Sequence, residues 1–93
     1  MNSSSKYLPV GSVVKLKGAT RKVVIIGFAI IEDGSSKPWD YLGCAYPMGV
    51  ISNDKNLLFN IDQIEEVVSE GYSDEEDKHF RKELESTMEK IKK

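Results

Sequence analysis

Two side chains in this sequence have the chemistry needed for nucleophilic catalysis: the only cysteine, Cys44, and the only histidine, His79. Cysteine catalysis requires a thiolate with a base beside it. His79 lies among acidic residues in a segment with a helical pattern, and such neighbours favour a charged imidazolium at the surface over a general base. The two residues could pair only if that helix packed across the strand that contains Cys44.

Cys44 has a simpler interpretation as a packing residue. It lies in the segment DYLGCAYPMGV, residues 40–50, between Gly43 and Ala45. A small, half-buried cysteine behaves as an apolar side chain. We therefore expect a tightly packed strand here, followed by a turn at Pro47, and we predict that the protein is not an enzyme. A thiol-dependent enzyme is the alternative.

Metal and cofactor sites are not indicated by the sequence. It has no CxxC or HxxxH motif, and the acidic run at residues 74–77 lacks the alternating ligands and central glycine of an EF-hand loop. Gly11, Gly18 and Gly27 fall at strand ends or within a strand rather than in a phosphate-binding loop. We predict neither a metal nor a cofactor.

Length and composition indicate one small domain. The chain has 93 residues, of which 40% are hydrophobic and 30% charged, enough for a single modest core. A lone cysteine cannot form an internal disulfide, as is typical of proteins in a reducing compartment. No apolar segment suits a secretory signal, and the longest apolar run, from Val23 to Ile31, is too short to span a bilayer. We expect a cytoplasmic protein that does not bind membranes.

The charges are distributed unevenly along the chain. Residues 1–31 contain five basic residues and no acidic one, whereas residues 32–93 contain fifteen acidic and eight basic residues. Basic strands could bind the phosphates of a nucleic acid, and the residues that would do so are Lys15, Lys17, Arg21 and Lys22. The acidic remainder would repel the same backbone. Nucleic-acid binding by a small barrel is therefore the alternative function rather than the preferred one.

The alternation of polar and apolar residues predicts a mostly β body. Residues 1–7 are expected to be disordered, and one α+β domain spans residues 8–93. Strands are expected near residues 12–17, 21–31, 39–46 and 66–72, with a short apolar segment at 57–59 and a helical turn through Ile64. The second strand is apolar on both faces and should be central, with Gly27 at a bend or bulge. A helix over residues 62–69 is the competing interpretation of that region.

The C-terminal segment has the signature of a helix over about residues 74–91. Ser73 and Glu76 have the spacing of a capping box, and acids occupy the first turn and lysines the last. The apolar residues of this segment form one narrow stripe: Phe80, Leu84, Met88 and Ile91. Such a stripe can pack against the sheet or against a partner.

Trp39, Tyr41 and Tyr46 form the most suggestive cluster of side chains, because aromatic residues on an exposed strand can bind peptides or stack on bases. The alternative is that these rings close a small core that has few phenylalanines.

The fold class that follows is α+β. We predict a small, bent antiparallel sheet or an SH3-like barrel of four or five strands, with a C-terminal helix. An unpaired edge strand in so small a sheet would allow a homodimer.

Five segments of the sequence, in the same order, resemble a small family from Firmicutes that is known only as a domain of unknown function. They are LPVGSVVKLKG (residues 8–18), KVVIIGF (22–28), DYLGCAYPMG (40–49), FNIDQIEEVVSEGY (59–72) and the DEE that follows. Members of that family carry LPxGSVVxLKGG, DYxGCxYPxG and GYxDEEE. The chain departs from the pattern at Ala19, where a second glycine is usual, at residues 23–24, where a methionine is common, and at residues 60–62.

The resemblance implies a function. Such proteins are often encoded near type VII (ESX-like) secretion clusters and their LXG toxin substrates, which implies a cytoplasmic accessory, adaptor or chaperone protein rather than an enzyme. Its partner would be another protein, such as an LXG toxin. We expect contacts through a strand edge, the aromatic cluster or the helix. The candidate contact residues are Trp39, Tyr41, Tyr46, Phe80, Leu84 and Met88.

Overall fold

The computed structural model describes residues 6–30, 37–52 and 55–92. In chain order the elements are β1 (Val13–Leu16), β2 (Lys22–Ile30), β3 (Trp39–Ala45), β4 (Leu57–Phe59), a 3-10 helix (Ile61–Gln63), β5 (Ile64–Ser69) and α1 (Glu75–Lys92). The expected strands and the C-terminal helix are therefore confirmed. No helix in these ranges is long and apolar enough to cross a membrane.

The strands form one antiparallel sheet in the order β4-β3-β2-β1-β5. β4 and β5 lie at opposite edges, yet only residues 60–63 separate them in sequence. In a flat sheet of five strands the edges would be about 19 Å apart, whereas a 3-10 helix advances only about 2 Å per residue. The sheet must therefore bend strongly, which confirms the α+β class in its form as an open, bent sheet.

The region between β4 and the C-terminal helix contains a short turn and a strand. The amide of Asn60 donates to Oε1 of Gln63 at 2.8 Å, and the Gln63 amide donates back to the Asn60 carbonyl oxygen at 3.0 Å. These two bonds close the 3-10 helix. The chain then pairs with β1 as β5, so the competing helix over residues 62–69 is wrong.

β2 is the central strand, and its neighbour β3 packs tightly against it. The register between them shifts between Ile25 and Gly27, which confirms the predicted bulge. A Cβ atom on Gly43 would lie 2.5 Å from Cγ1 of Val23 and 2.9 Å from Cε1 of Phe59. A residue without a side chain is therefore required at Gly43, and Cys44 beside it is buried.

The core lies between the concave face of the sheet and α1. Two residues of the helical stripe, Leu84 and Met88, are buried, whereas Phe80 and Ile91 at its ends are 49% and 42% exposed. Among the described residues, the buried apolar cluster of the core comprises Tyr7, Val14, Val23, Ile25, Tyr41, Phe59, Leu84 and Met88. The stripe thus packs on the sheet of its own chain.

The N-terminal segment contributes a side chain to the core, which its composition does not predict. Tyr7, inside the stretch expected to be disordered, is only 1% exposed. Its ring makes an edge contact with the ring of Tyr41, with the centroids 5.7 Å apart. A large aromatic ring that completes the core fixes this segment despite its polar neighbours. Lys6 is exposed, and residues 1–5 of that stretch lie outside the described residues.

The helix begins one residue later than the capping box predicts. The Asp77 amide donates to Oδ1 of Asp74 at 2.9 Å, so Asp74 rather than Ser73 caps α1. The Ser73 hydroxyl instead donates to Oδ2 of Asp77 at 2.6 Å. The acids of the first turn complement the helix dipole as expected.

Both edges of the sheet have features that oppose pairing with another sheet. β4 has three residues, and the pairing of β5 with β1 shifts register twice. β5 also carries Glu65 and Glu66, both exposed. Short strands, bulges and charges are the usual protection of a sheet edge, and they disfavour the edge-to-edge homodimer that the sequence would allow.

The burial of Met88 leads to a stability prediction. Met88→Ala should lower the free energy of unfolding by about 2–5 kcal/mol, because it opens a cavity between α1 and the sheet. Equilibrium unfolding in urea measures this change. Ile91→Ala, on the exposed end of the same stripe, is the matched control and should change stability by no more than about 0.5 kcal/mol. Equal effects of the two substitutions would contradict the placement of the helix.

Candidate protein-binding groove

A groove opens between the start of α1 and the segment that leads into β1. It has a volume of about 400 Å³. Its lining residues are Val10, Phe28, Tyr72, Asp74, Glu76, Asp77 and Phe80. We call it the aromatic groove.

The apolar side chains of the aromatic groove are unusually exposed. Tyr72 is 82% exposed, Val10 51% and Phe80 49%. Phe80 also contacts Phe28, with ring centroids 5.6 Å apart, which links the groove to the aromatic core. Contiguous exposed apolar side chains rimmed by polar groups are typical of interaction sites.

The rim of the aromatic groove is acidic. Asp74, Glu76 and Asp77 come from the cap and first turn of α1. The helix dipole stabilises carboxylates at this position, so the negative charge is a property of the helix start. A ligand of this groove is therefore expected to combine an apolar group with positive charge.

A buried arginine holds the walls of the aromatic groove together. Arg81 is 2% exposed. Its Nε donates to Oδ2 of Asp77 at 2.9 Å, one terminal nitrogen donates to the Tyr7 carbonyl oxygen at 2.6 Å, and the other donates to the Ser73 hydroxyl at 3.2 Å. The guanidinium thus joins the N-terminal segment, the turn before the helix and the first helical turn.

A buried aspartate fixes the other side of the same N-terminal segment. Asp40 is 3% exposed. Its Oδ1 accepts from the Tyr7 hydroxyl at 2.7 Å and its Oδ2 from the Ile61 amide at 2.9 Å, while its own amide donates to Oδ1 of Asn60 at 2.9 Å. The carboxylate therefore connects β3 to the N-terminal segment and to the start of the 3-10 helix.

Burial in this region changes the ionisation of two tyrosines. Burial raises the pKa of Tyr41 to about 12, although its hydroxyl accepts a hydrogen bond from the Leu8 amide at 2.9 Å. Burial also raises the pKa of Tyr7, and its hydrogen bond to the Asp40 carboxylate raises it further. Both phenols are therefore neutral in the folded protein at physiological pH.

A glycine allows the two walls of the groove to approach each other. The Gly71 amide donates to the Ser12 hydroxyl at 3.0 Å. A Cβ atom on Gly71 would overlap the carbonyl oxygen of Val10. The close approach of the two backbones at this point sets Tyr72 beside the segment that contains Val10.

The six contact residues expected from the sequence do not form one site. Tyr41, Leu84 and Met88 are buried in the core, so their side chains are not available to a partner in this structure. The ring of Tyr41 packs against three other rings, as the interpretation of the cluster as core predicts. Only Phe80 lies in the aromatic groove.

The other two residues of the aromatic cluster are Trp39, which begins β3, and Tyr46, which follows its end. Trp39 is half-buried. Tyr46 is 43% exposed, and the Lys22 ammonium lies 5.6 Å from the centre of its ring. The cluster is therefore divided between the core and the surface.

The structure also gives the positions of the residues considered for a thiol-dependent enzyme and for nucleic-acid binding. His79 is exposed on α1, while Cys44 is buried in β3. Lys15 lies directly opposite Lys22 in the β1–β2 pair. Lys17 and Arg21 are exposed on the connection between these strands.

Sequence reasoning missed Val10 and Tyr72 as groove residues. Val10 lies in a turn that precedes a strand, and Tyr72 was expected at the end of a strand. The one local signal was the tyrosine placed just before an acidic helix start in GYSDEED, residues 71–77. The partner wall comes from a segment about 60 residues earlier, which no local pattern indicates.

Comparison with known families gives one result. A family model described as a domain of unknown function (DUF4176) matches residues 7–80. The match includes every residue that lines the aromatic groove. Comparisons with curated proteins and with solved structures give no match.

Removal of the buried Arg81 guanidinium should destabilise the protein. Arg81→Met should lower the free energy of unfolding by about 3–5 kcal/mol, because it leaves the Asp77 carboxylate and the Tyr7 carbonyl without this donor. Urea unfolding of the variant measures the loss. Lys82→Met changes an exposed neighbour on the same helix and should have little effect. Similar stabilities for the two variants would show that the guanidinium does not organise the groove.

The raised tyrosine pKa predicts a loss of stability at high pH. The pKa of tyrosine in an unfolded chain is about 10, whereas the pKa of Tyr41 in the folded protein is about 12. As pH rises, the unfolded chain therefore loses its phenolic proton first. The free energy of unfolding should fall as the pH rises from about 10 to about 12, and this group should add no pH dependence below that range, where its stabilisation is fully present.

Two substitutions test the origin of this pH dependence. Tyr41→Phe should reduce the slope of unfolding free energy against pH in that window, even though it also removes the bond to the Leu8 amide. Tyr72→Phe changes an exposed tyrosine and should keep the slope of the parent protein. An unchanged slope in Tyr41→Phe would mean that the burial of this phenol is not its cause.

Proposed function

We propose that this chain, which belongs to the DUF4176 family, is a non-catalytic protein-binding accessory that uses the aromatic groove as its binding site. The observation that carries the proposal is the exposure of Tyr72 and Phe80, 82% and 49%, in a groove. Aromatic side chains supply much of the binding energy in protein interfaces.

The rigidity of the groove supports this role. Its walls are fixed by the three hydrogen bonds of Arg81 described above, and Phe80 stands on a helix that is anchored in the core by Leu84 and Met88. A site that is already ordered before binding loses little conformational entropy when a partner binds. The exposed rings are thus presented by a fixed framework.

The proposal extends to a cellular role. We propose an adaptor or chaperone in the cytoplasm that serves type VII secretion and binds one of its LXG-type toxins. The support is the resemblance of the sequence to proteins encoded beside such loci. One of the segments that carry the resemblance, GYxDEEE, supplies Tyr72, Asp74 and Glu76 to the aromatic groove.

Co-expression provides a direct test. The chain and an LXG-type toxin from the same genome should co-elute as one complex in size-exclusion chromatography. Tyr72→Ala and Phe80→Ala should each weaken binding by about 30-fold, the loss expected when an aromatic anchor worth about 2 kcal/mol is removed. Isothermal titration calorimetry measures the affinities.

The control is an exposed aromatic residue outside the groove. Tyr46 is 43% exposed and does not line the groove, so Tyr46→Ala should retain the affinity of the parent protein. Loss of binding in Tyr46→Ala alone would place the site elsewhere. Failure of every LXG-type toxin of the genome to form a complex would refute the proposed partner.

A further inference from the structure

The central strand β2 is longer than the neighbour that covers one of its sides. It has nine residues, whereas β1 has four. β1 pairs with residues 22–24 of β2. The pairing extends one residue further, because the Gly11 amide donates to the Ile25 carbonyl oxygen at 2.8 Å and the Ile25 amide donates to the Ser12 carbonyl oxygen at 2.9 Å.

Beyond Ile25 the two sides of β2 differ. Residues Gly27–Ile30 continue to pair with β3 on one side. On the other side the chain leaves the sheet at a turn, closed by a bond from the Ser12 amide to the Pro9 carbonyl oxygen at 3.1 Å. Within residues 6–30, 37–52 and 55–92, no strand pairs with Gly27–Ile30 on that side. We call this the open edge of β2.

The open edge of β2 borders the aromatic groove. Phe28 belongs to this stretch of β2 and lines the groove, and Val10, which lines it too, lies in the turn where the covering strand departs. An extended peptide placed here could continue the sheet and fill the groove at the same time. Strand addition of this kind obtains affinity from main-chain hydrogen bonds and specificity from side-chain pockets.

The charges around the groove define the peptide further. Three acids line it, and no basic residue does so among the residues that the structure describes. Asp77 is already paired with Arg81, whereas Asp74 and Glu76 form no ion pair among the described residues. An incoming strand with lysine or arginine beside an apolar residue would complement them.

We infer that a partner protein binds as an extended segment along the open edge of β2, with an aromatic or aliphatic side chain in the aromatic groove and basic residues facing Asp74 and Glu76. This inference rests on the proposed protein-binding function and specifies the form of the partner. A second copy of this chain fits the description poorly, because its β5 edge carries exposed acids and its other edge strand, β4, has only three residues.

The test uses the full chain labelled with ¹⁵N and a defined peptide. The probe is a nine-residue peptide with a central phenylalanine and lysines at alternating positions. Saturable shifts should appear at the amides of Gly27–Ile30 and of residues 72–80, and hydrogen exchange should slow at those amides of Gly27–Ile30 that face away from β3. Shifts confined to other parts of the chain would overturn the inference, as would the absence of any saturable shift.

Two altered peptides distinguish binding by strand pairing from binding through side chains alone. A peptide with N-methyl groups on the alternate amides that would face β2 keeps the side chains but cannot donate hydrogen bonds to that strand, and it should bind at least about tenfold more weakly, the effect of losing about 1.4 kcal/mol. A peptide with glutamates in place of the lysines should lose binding to a similar extent. If the N-methylated peptide binds equally well, the groove binds side chains without strand addition, and only the proposed function survives.

A matched pair of protein variants tests the charge on the rim. Glu76→Lys reverses an exposed charge on the rim. It should lower the affinity for the lysine peptide by about tenfold or more and raise the affinity for the glutamate peptide. Glu83→Lys makes the same change at an exposed position on α1 outside the groove and should leave both affinities as they were. Equal effects of the two variants would show that net charge, rather than the rim, attracts the peptide.

Discussion

The positions of the segments that form the aromatic groove depend on one buried cation, the guanidinium of Arg81. Arg81 is almost completely withdrawn from water, and such a charge is tolerated only when neighbouring groups satisfy its donors. The groups that do so are the carbonyl oxygen of Tyr7, the hydroxyl of Ser73 and the carboxylate of Asp77. They come from three separate segments, so the guanidinium allows these segments only one mutual arrangement. The aromatic groove is the outer surface of that arrangement.

Tyr7 connects this network to a second one. Its carbonyl oxygen accepts from Arg81, while its hydroxyl donates to Asp40, whose other oxygen accepts from the amide of Ile61. Ile61 begins the short 3-10 helix that joins the two edges of the bent sheet. The same N-terminal residue is therefore bonded directly to the helix that covers the sheet and, through Asp40, to the connection that requires the sheet to bend. Its ring packs against those of Phe28 and Tyr41.

The narrow stripe of α1 serves two purposes. Its middle residues, Leu84 and Met88, are buried against the sheet, while Phe80 at the start is half exposed and contributes to the aromatic groove. The capping and acidic residues of the first turn stabilise the helix and also give the groove its charge. The apolar contacts with the core and the apolar side chain offered to a partner thus come from different residues of one helix, which allows substitutions to separate them.

Local patterns in the sequence determined the elements of this protein. Alternation marked the strands, and small residues around Gly43 marked the tight packing in β3, while acids before a periodic segment marked the start of α1. Such features repeat within two to four residues, so a single sequence displays them. Only the tertiary structure decided that Tyr7 lies in the core and that its hydrogen-bond partners, Asp40 and Arg81, are buried. These partners lie 33 and 74 positions from Tyr7 in the sequence. Partners so distant in sequence leave no periodic trace, since their proximity is produced by the bend of the sheet and the docking of the helix.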